Sequence, residues 1–102
     1  MSKPYRDNYT EEEWEARIKS RIDTINELMP MDGFHFDTEY AYGGCRLTKR
    51  KDGTGGEADL SRRYYYDDFE GEADYDDMCA MLDAIIAVLK AKRDNEQGKN
   101  EW

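Results

Sequence analysis

Apolar residues recur at two different periods along this chain, and the change of period narrows the folds open to it. Trp14, Ile18, Ile22, Ile25 and Met29 are spaced four, four, three and four apart, a repeat that gathers side chains on one face of a helix. After Met31-Asp32-Gly33 the repeat falls to two. Phe34, Phe36, Thr38, Tyr40 and Tyr42 then fall on one side of an extended chain, and His35, Asp37, Glu39 and Ala41 on the other. From Tyr75 the helical repeat returns through Met78, Leu82, Ile85 and Leu89, with Met81, Ile86 and Val88 widening the apolar face. The expected order is helix, strands, helix, with no internal repeat.

Local signals set the ends of these elements. Thr10-Glu-Glu-Glu13 is a capping box, and Tyr9 and Trp14 stand at the two positions of a hydrophobic staple. Glu11, Glu12 and Glu13 suit the positive end of the helix dipole, Glu13 with Arg17 and Glu15 with Lys19 are helix-surface pairs, and Pro30 stops the helix after about Leu28. Gly43-Gly44 reads as a hairpin turn. Cys45 and Leu47 alternate with Arg46 and Thr48 along a second strand that ends in Lys49-Arg50-Lys51, and Asp52 to Gly56 is a looser turn. Ala58 to about Tyr65 reads as a third strand, with Leu60 its clearest inward residue. The second helix is expected to start near Asp74 or Tyr75, helped by Asp76 and Asp77, and to be buried along most of its length.

Short connections make the strands an antiparallel meander in the order one, two, three. The predicted fold is α+β: a two-layer helix–three-stranded antiparallel sheet–helix domain (α-β-β-β-α) over residues 10–94. Residues 1–9 read as a polar leader and 95–102 as a frayed tail. Both helices should cover one sheet face, leaving His35, Asp37, Glu39, Arg46 and Thr48 to solvent.

A net charge of −9 argues against a direct grip on nucleic-acid phosphates and suits a basic partner. No apolar run reaches the length of a membrane span, and the first residues lack the apolar block of a secretory signal, so a cytoplasmic location is expected. Cys45 and Cys79 read as reduced thiols acting as small hydrophobes. They and His35 stand far apart, which excludes a zinc pattern. Placing Gly71 at the glycine position of an EF-hand loop puts Tyr66 where a carboxylate is needed, so that calcium pattern fails. No nucleophile or orienting acid accompanies His35, and the glycines after Asp52 do not open a helix. A non-enzymatic protein without cofactor is expected, with an irregular cation site as a third reading.

One stretch is left over from the fold. Tyr64 to Asp77 reads YYYDDFEGEADYDD, and from Asp67 it carries Asp67, Asp68, Glu70, Glu72, Asp74, Asp76 and Asp77 with no Lys or Arg. In extended chain, acids two residues apart stand about 6.6–6.8 Å apart on one side, and such a row can stand in for phosphates in a basic groove. Tyr65, Tyr66 and Phe69 would anchor the contact, since interface energy concentrates in aromatic residues. The plainer reading is a solvated loop and helix start with the tyrosines packed under the meander. Lys49-Arg50-Lys51 is an internal competitor that would neutralise the row.

Ile25-Asn26-Glu27-Leu28, Tyr40-Ala-Tyr42-Gly-Gly44-Cys-Arg-Leu47, Asp59-Leu60-Ser61-Arg62-Arg63 and the Met78 to Leu89 helix resemble small phage and prophage proteins of Gram-positive bacteria over roughly residues 20 to 90. That resemblance predicts a short link after Arg63, where this chain has the longer acidic stretch. In size, acidity and element order the chain also resembles anti-CRISPR proteins, small phage inhibitors that can plug the DNA-binding channel of an RNA-guided nuclease. These resemblances imply a phage inhibitor whose partner is a basic nucleic-acid-binding protein, above all a CRISPR nuclease. The alternative is a structural or accessory phage protein, homodimeric through its sheet edge or tyrosine cluster, with acidity serving solubility.

Overall fold

The computed structural model describes residues 9–53, 55–66 and 73–97. Helix α1 (Glu11–Leu28) starts at the expected box: Thr10 Oγ1 accepts the Glu13 N–H at 3.1 Å and the Glu13 carboxylate accepts the Thr10 N–H at 2.9 Å. The Tyr9 and Trp14 rings meet edge-on with centroids 5.0 Å apart. Trp14, Ile18, Ile22 and Ile25 are buried, whereas Met29, just past the helix, is exposed. Arg17 lies over the Tyr9 and Trp14 rings, and Lys19 pairs with Asp23 one turn on.

Strands β1 (Phe34–Ala41) and β2 (Gly44–Lys51) pair antiparallel from Phe34↔Lys51 to Ala41↔Gly44. The two turn residues are therefore Tyr42 and Gly43, with φ of 56° and 78°, the geometry of a type I′ turn. Gly44, expected in the turn, belongs to β2. A Cβ there would stand 2.3 Å from the Tyr64 carbonyl oxygen, so the crossing chain requires glycine.

The third strand is broken in two. β3 (Glu57–Asp59) pairs with β2 at Thr48–Arg50, and β4 (Tyr64–Tyr65) pairs with it at Gly44–Cys45. Between them Ser61 Oγ accepts the Leu47 N–H at 2.9 Å, and Leu60 N–H donates to the Leu47 carbonyl. A side chain replacing a backbone partner ends the two-residue alternation. Leu60 is consequently exposed rather than inward, and Tyr64 takes the buried position.

The core lies on one sheet face, between the α1 stripe, Cys45 and Leu47 of β2, Tyr64, and Tyr75, Met78, Cys79 and Leu82 of α2 (Tyr75–Glu96). The order α-β-β-β-α and the antiparallel sheet with β2 in its centre stand as predicted. Of the aromatic row on β1 only Phe36 packs against the core; Phe34, Tyr40 and Tyr42 are exposed. β1 is an edge strand, and its edge is plugged by its own chain. The Asn26 amide donates to the Phe36 carbonyl at 2.9 Å and accepts the Phe36 N–H at 2.8 Å, while the Asp37 carboxylate accepts the Thr38 N–H.

β4 runs antiparallel to β2, so the chain enters α2 heading the same way as it entered α1. The helices are parallel. Glu11 and Glu15 share a hollow with Tyr75, Arg21 pairs with Asp83 at 2.8 Å, and Leu28 and Met29 share a groove with Leu89, Lys92 and Arg93. At 22 residues α2 outruns the 18 of α1. Full burial stops at Leu82, Ile85, Ile86 and Leu89 stay partly buried against the core, and Val88 is 66% exposed, so the expected burial along most of the helix holds only as partial cover. Among the described residues no helix is long and apolar enough to cross a membrane.

Candidate functional site

Two parallel helices put two acid-rich first turns at one end of the molecule. Glu11, Glu12 and Glu13 head α1, and Asp76 and Asp77 head α2. The Tyr65 N–H donates to the Ala73 carbonyl at 3.0 Å and the Tyr66 N–H to the Gly43 carbonyl at 3.4 Å. The two ends of the acidic stretch are thus pinned together beside the β1–β2 turn. The basic run is remote from this pole. Lys49 and Lys51 lie five and seven residues along β2 from Gly44, roughly 17–23 Å at strand spacing, about two Debye lengths at physiological salt. Lys49 there covers the Phe34 ring, and Arg50 pairs with Asp37 and Glu57.

The predicted row of acids divides. Asp74 is 4% exposed, and its carboxylate accepts the Asp77 N–H at 3.0 Å while that of Asp77 accepts the Asp74 N–H at 3.1 Å. These two residues form the capping box of α2, so their carboxylates face the helix's own amides instead of forming an outward ridge. Asp76 is half-buried beside them, and the three carboxylates offer oxygens within 4.8 Å of one another. Asp67, Asp68, Phe69, Glu70 and Glu72 lie outside the described residues.

Tyr65 and Tyr66 are half-buried, and the Tyr66 ring lies 6.1 Å from that of Tyr75 and packs against the core. Tyr64 is buried, with its hydroxyl donating to Met81 Sδ at 3.4 Å. His35 sits away from this end, paired with Asp52. Cys45 and Cys79 are free, buried thiols, and burial holds Cys45 up at about 12, which makes it a poor nucleophile.

The sequence credited Glu11 and Glu12 to the helix dipole, Glu15 to a surface pair with Lys19 and Tyr40 to the aromatic side of the first strand, and joined none of them to a site. The signal that joins them to the second acidic region is the odd number of strand directions between the helices, which makes the helices parallel.

The outer sheet face is charged in a different way. Arg46 reaches Glu39 at 3.4 Å and Asp59 at 3.1 Å, Arg50 reaches Asp37 at 3.6 Å and Glu57 at 3.7 Å, and Arg63 reaches Glu39 at 2.7 Å. Thr48, expected in solvent, is fully buried beneath this lattice and donates to the Asp37 carbonyl at 3.2 Å. Its neighbours two residues away on the same face of β2 are Arg46 and Arg50. The Arg63 hydrogen bond, with the charges of Arg63 and Arg46, holds the Glu39 carboxyl below its ordinary value against the opposing effect of desolvation.

Compared with known proteins, the chain matches no family model, no curated protein and no solved structure.

Proposed function

We propose that this protein is a phage-encoded, non-enzymatic inhibitor of the anti-CRISPR kind, which presents its acidic pole to a basic groove of a nucleic-acid-handling protein, above all an RNA-guided CRISPR nuclease. The observation that carries the reading is the parallel arrangement of α1 and α2. It sets Glu11 and Glu12 at the same end as the pinned base of the acidic stretch, away from the basic run. Two acidic regions far apart in sequence thereby act on one partner, and clustered charge of one sign speeds encounter and selects a basic target. Asp74 and Asp77 serve the fold in this reading, so Asp67, Asp68, Glu70 and Glu72 supply the charge of the stretch itself.

The test is capture of the nuclease from host lysate followed by a DNA-cleavage assay. Reversing Asp67, Asp68, Glu70 and Glu72 to Lys, with the two capping aspartates untouched, should abolish both capture and inhibition in a folded protein. Undiminished inhibition would overturn the mechanism.

A homodimeric accessory protein is the second reading, favoured by the outer side of α2. Ala80, Ala84, Ala87, Val88 and Ala91 are exposed there without an intervening charge. An antiparallel second copy centred between residues 86 and 87 would set Asp83 opposite Lys90 twice. The plugged edge of β1 speaks against pairing through the sheet. Sedimentation equilibrium should then show a dimer that Val88→Glu dissociates; a monomer at high concentration removes this reading.

A further inference from the structure

We propose that the hollow between the start of α1, the β1–β2 hairpin and the start of α2 is a subsite for the guanidinium of an arginine presented by a partner protein. The hollow, about 440 Å³, is lined by Glu11, Glu15, Tyr40, Ala41, Gly43, Gly44 and Tyr75. Two carboxylates, the exposed Tyr40 ring and the exposed backbone of Gly43 offer acceptors and a ring face above the buried Tyr75 and Gly44, and no Lys or Arg lines it. A planar guanidinium carries five N–H donors and stacks on aromatic faces, so it answers both kinds of wall.

Three observations point to a missing cation. Glu11 and Glu15 are one helical turn apart on the same face of α1, and like charges at that spacing destabilise a helix. Glu11 lies in the first turn, where the helix dipole favours an acid, but Glu15 lies beyond it. The Tyr75 side chain is 1% exposed, and its buried hydroxyl has no hydrogen-bond partner of good geometry, lying only beside the Cys45 thiol. An unpartnered buried hydroxyl is costly, and a donor arriving in the hollow would satisfy it.

Four ionisable groups at or beside the hollow are shifted upward. Burial, then Glu11 and Glu12, push the Glu15 carboxyl up; burial pushes Tyr40 and Cys45 up to about 12 each; and burial pushes Tyr75 up as well. In each case the largest cause is burial, which disfavours the charged form.

The inference rests on the acidic-pole reading only for the source of the arginine, and free arginine tests it separately. N-acetyl-L-arginine amide titrated into the full chain should give saturable shifts in the ¹H–¹⁵N resonances of Gly43, Gly44 and Tyr75, with a Kd on the order of 1–10 mM for one solvated ion pair with stacking. The neutral isostere N-acetyl-L-citrulline amide should give none. Glu15→Gln should weaken binding about two- to fivefold. Tyr75→Phe should also weaken it while holding or raising Tm, because it removes an unpartnered hydroxyl; a merely structural role for Tyr75 predicts a fall in Tm and no change in affinity. Absence of saturable shifts, an equal response to citrulline amide, or unchanged affinity in folded Glu15→Gln overturns the subsite. Nuclease capture that fails while arginine still binds would count against the pole reading alone.

Discussion

On the outer sheet face Arg46, Arg50 and Arg63 stand among Asp37, Glu39, Glu57 and Asp59. At the acidic pole Glu11, Glu12 and Glu15 stand beside the start of α2 with no base lining the hollow between them. The first set alternates in sign across three strands, so each charge meets its opposite on the face that also holds the buried Thr48. The second set repeats one sign, so its members raise one another's cost. A charged surface that binds itself together is part of the fold. A surface of one sign gains no such cohesion from its own members.

Reversing charge in each region should break this comparison most plainly. Arg46→Glu with Arg50→Glu would set acids against acids across the sheet and uncover Thr48. A loss of about 2–3 kcal/mol is expected, or a fall in Tm of roughly 10–20 °C for a domain this size. Glu11→Lys with Glu12→Lys loses only helix-dipole stabilisation, about 0.3–1 kcal/mol for each site, but should abolish partner capture. Thermal unfolding followed by circular dichroism measures the first pair of effects. Equal losses of stability would erase the distinction between face and pole.

A sharper cut runs through the aspartates at the start of α2. Asp74→Ala should destabilise by about 1 kcal/mol through loss of the cap, whereas Asp74→Asn, which caps as well without the charge, should be close to neutral. If Asp74→Asn also retains partner capture, Asp74 belongs to the fold and not to the pole. If it unfolds as readily as Asp74→Ala, the carboxylate's charge matters beyond the cap.

Local and non-local information separate cleanly in what the sequence made legible. The cap at Thr10 and Glu13, the Tyr9–Trp14 staple, the α1 stripe and the strand order depend on residues a few positions apart or on short turns, and all could be read. Asp74-Tyr-Asp-Asp77 has the spacing of a capping box, yet its two-residue alternation drew it into a row of surface acids. Leu60 could not be placed, because no pattern tells that Ser61 will replace a backbone partner of Leu47. Nor could Thr48, whose burial depends on side chains from strands not yet paired. The Asn26 plug on Phe36 left no trace beyond an asparagine inside a helix, a modest helix former. The pole itself followed from topology, since only three strand directions between the helices bring Glu15 and Tyr75 to one hollow.

The finest test of the comparison is acid titration, because the two regions shift their carboxyl groups in opposite directions. The Glu39 carboxyl lies below its ordinary 4.5, chiefly through the Arg63 hydrogen bond, and that of Glu15 lies above it, chiefly through burial. A lowered carboxyl contributes stability that is present above 4.5 and lost as pH falls through its folded value. A raised one imposes a penalty at neutral pH that disappears as pH falls through its folded value toward 4.5. Glu39→Gln should therefore lower Tm at pH 7, by a margin that is lost only as pH falls below 4.5, and Glu15→Gln should hold or raise Tm at pH 7 by a margin that is already gone when pH has fallen to 4.5. Both margins should be small and should shrink in high salt, since both groups are partly in contact with solvent. Opposite signs at pH 7 would separate a face whose charges stabilise the fold from a pole whose charges strain it. Matching signs would mean that Glu15, too, is held by the chain's own cations, and the hollow would have no call on a partner's arginine.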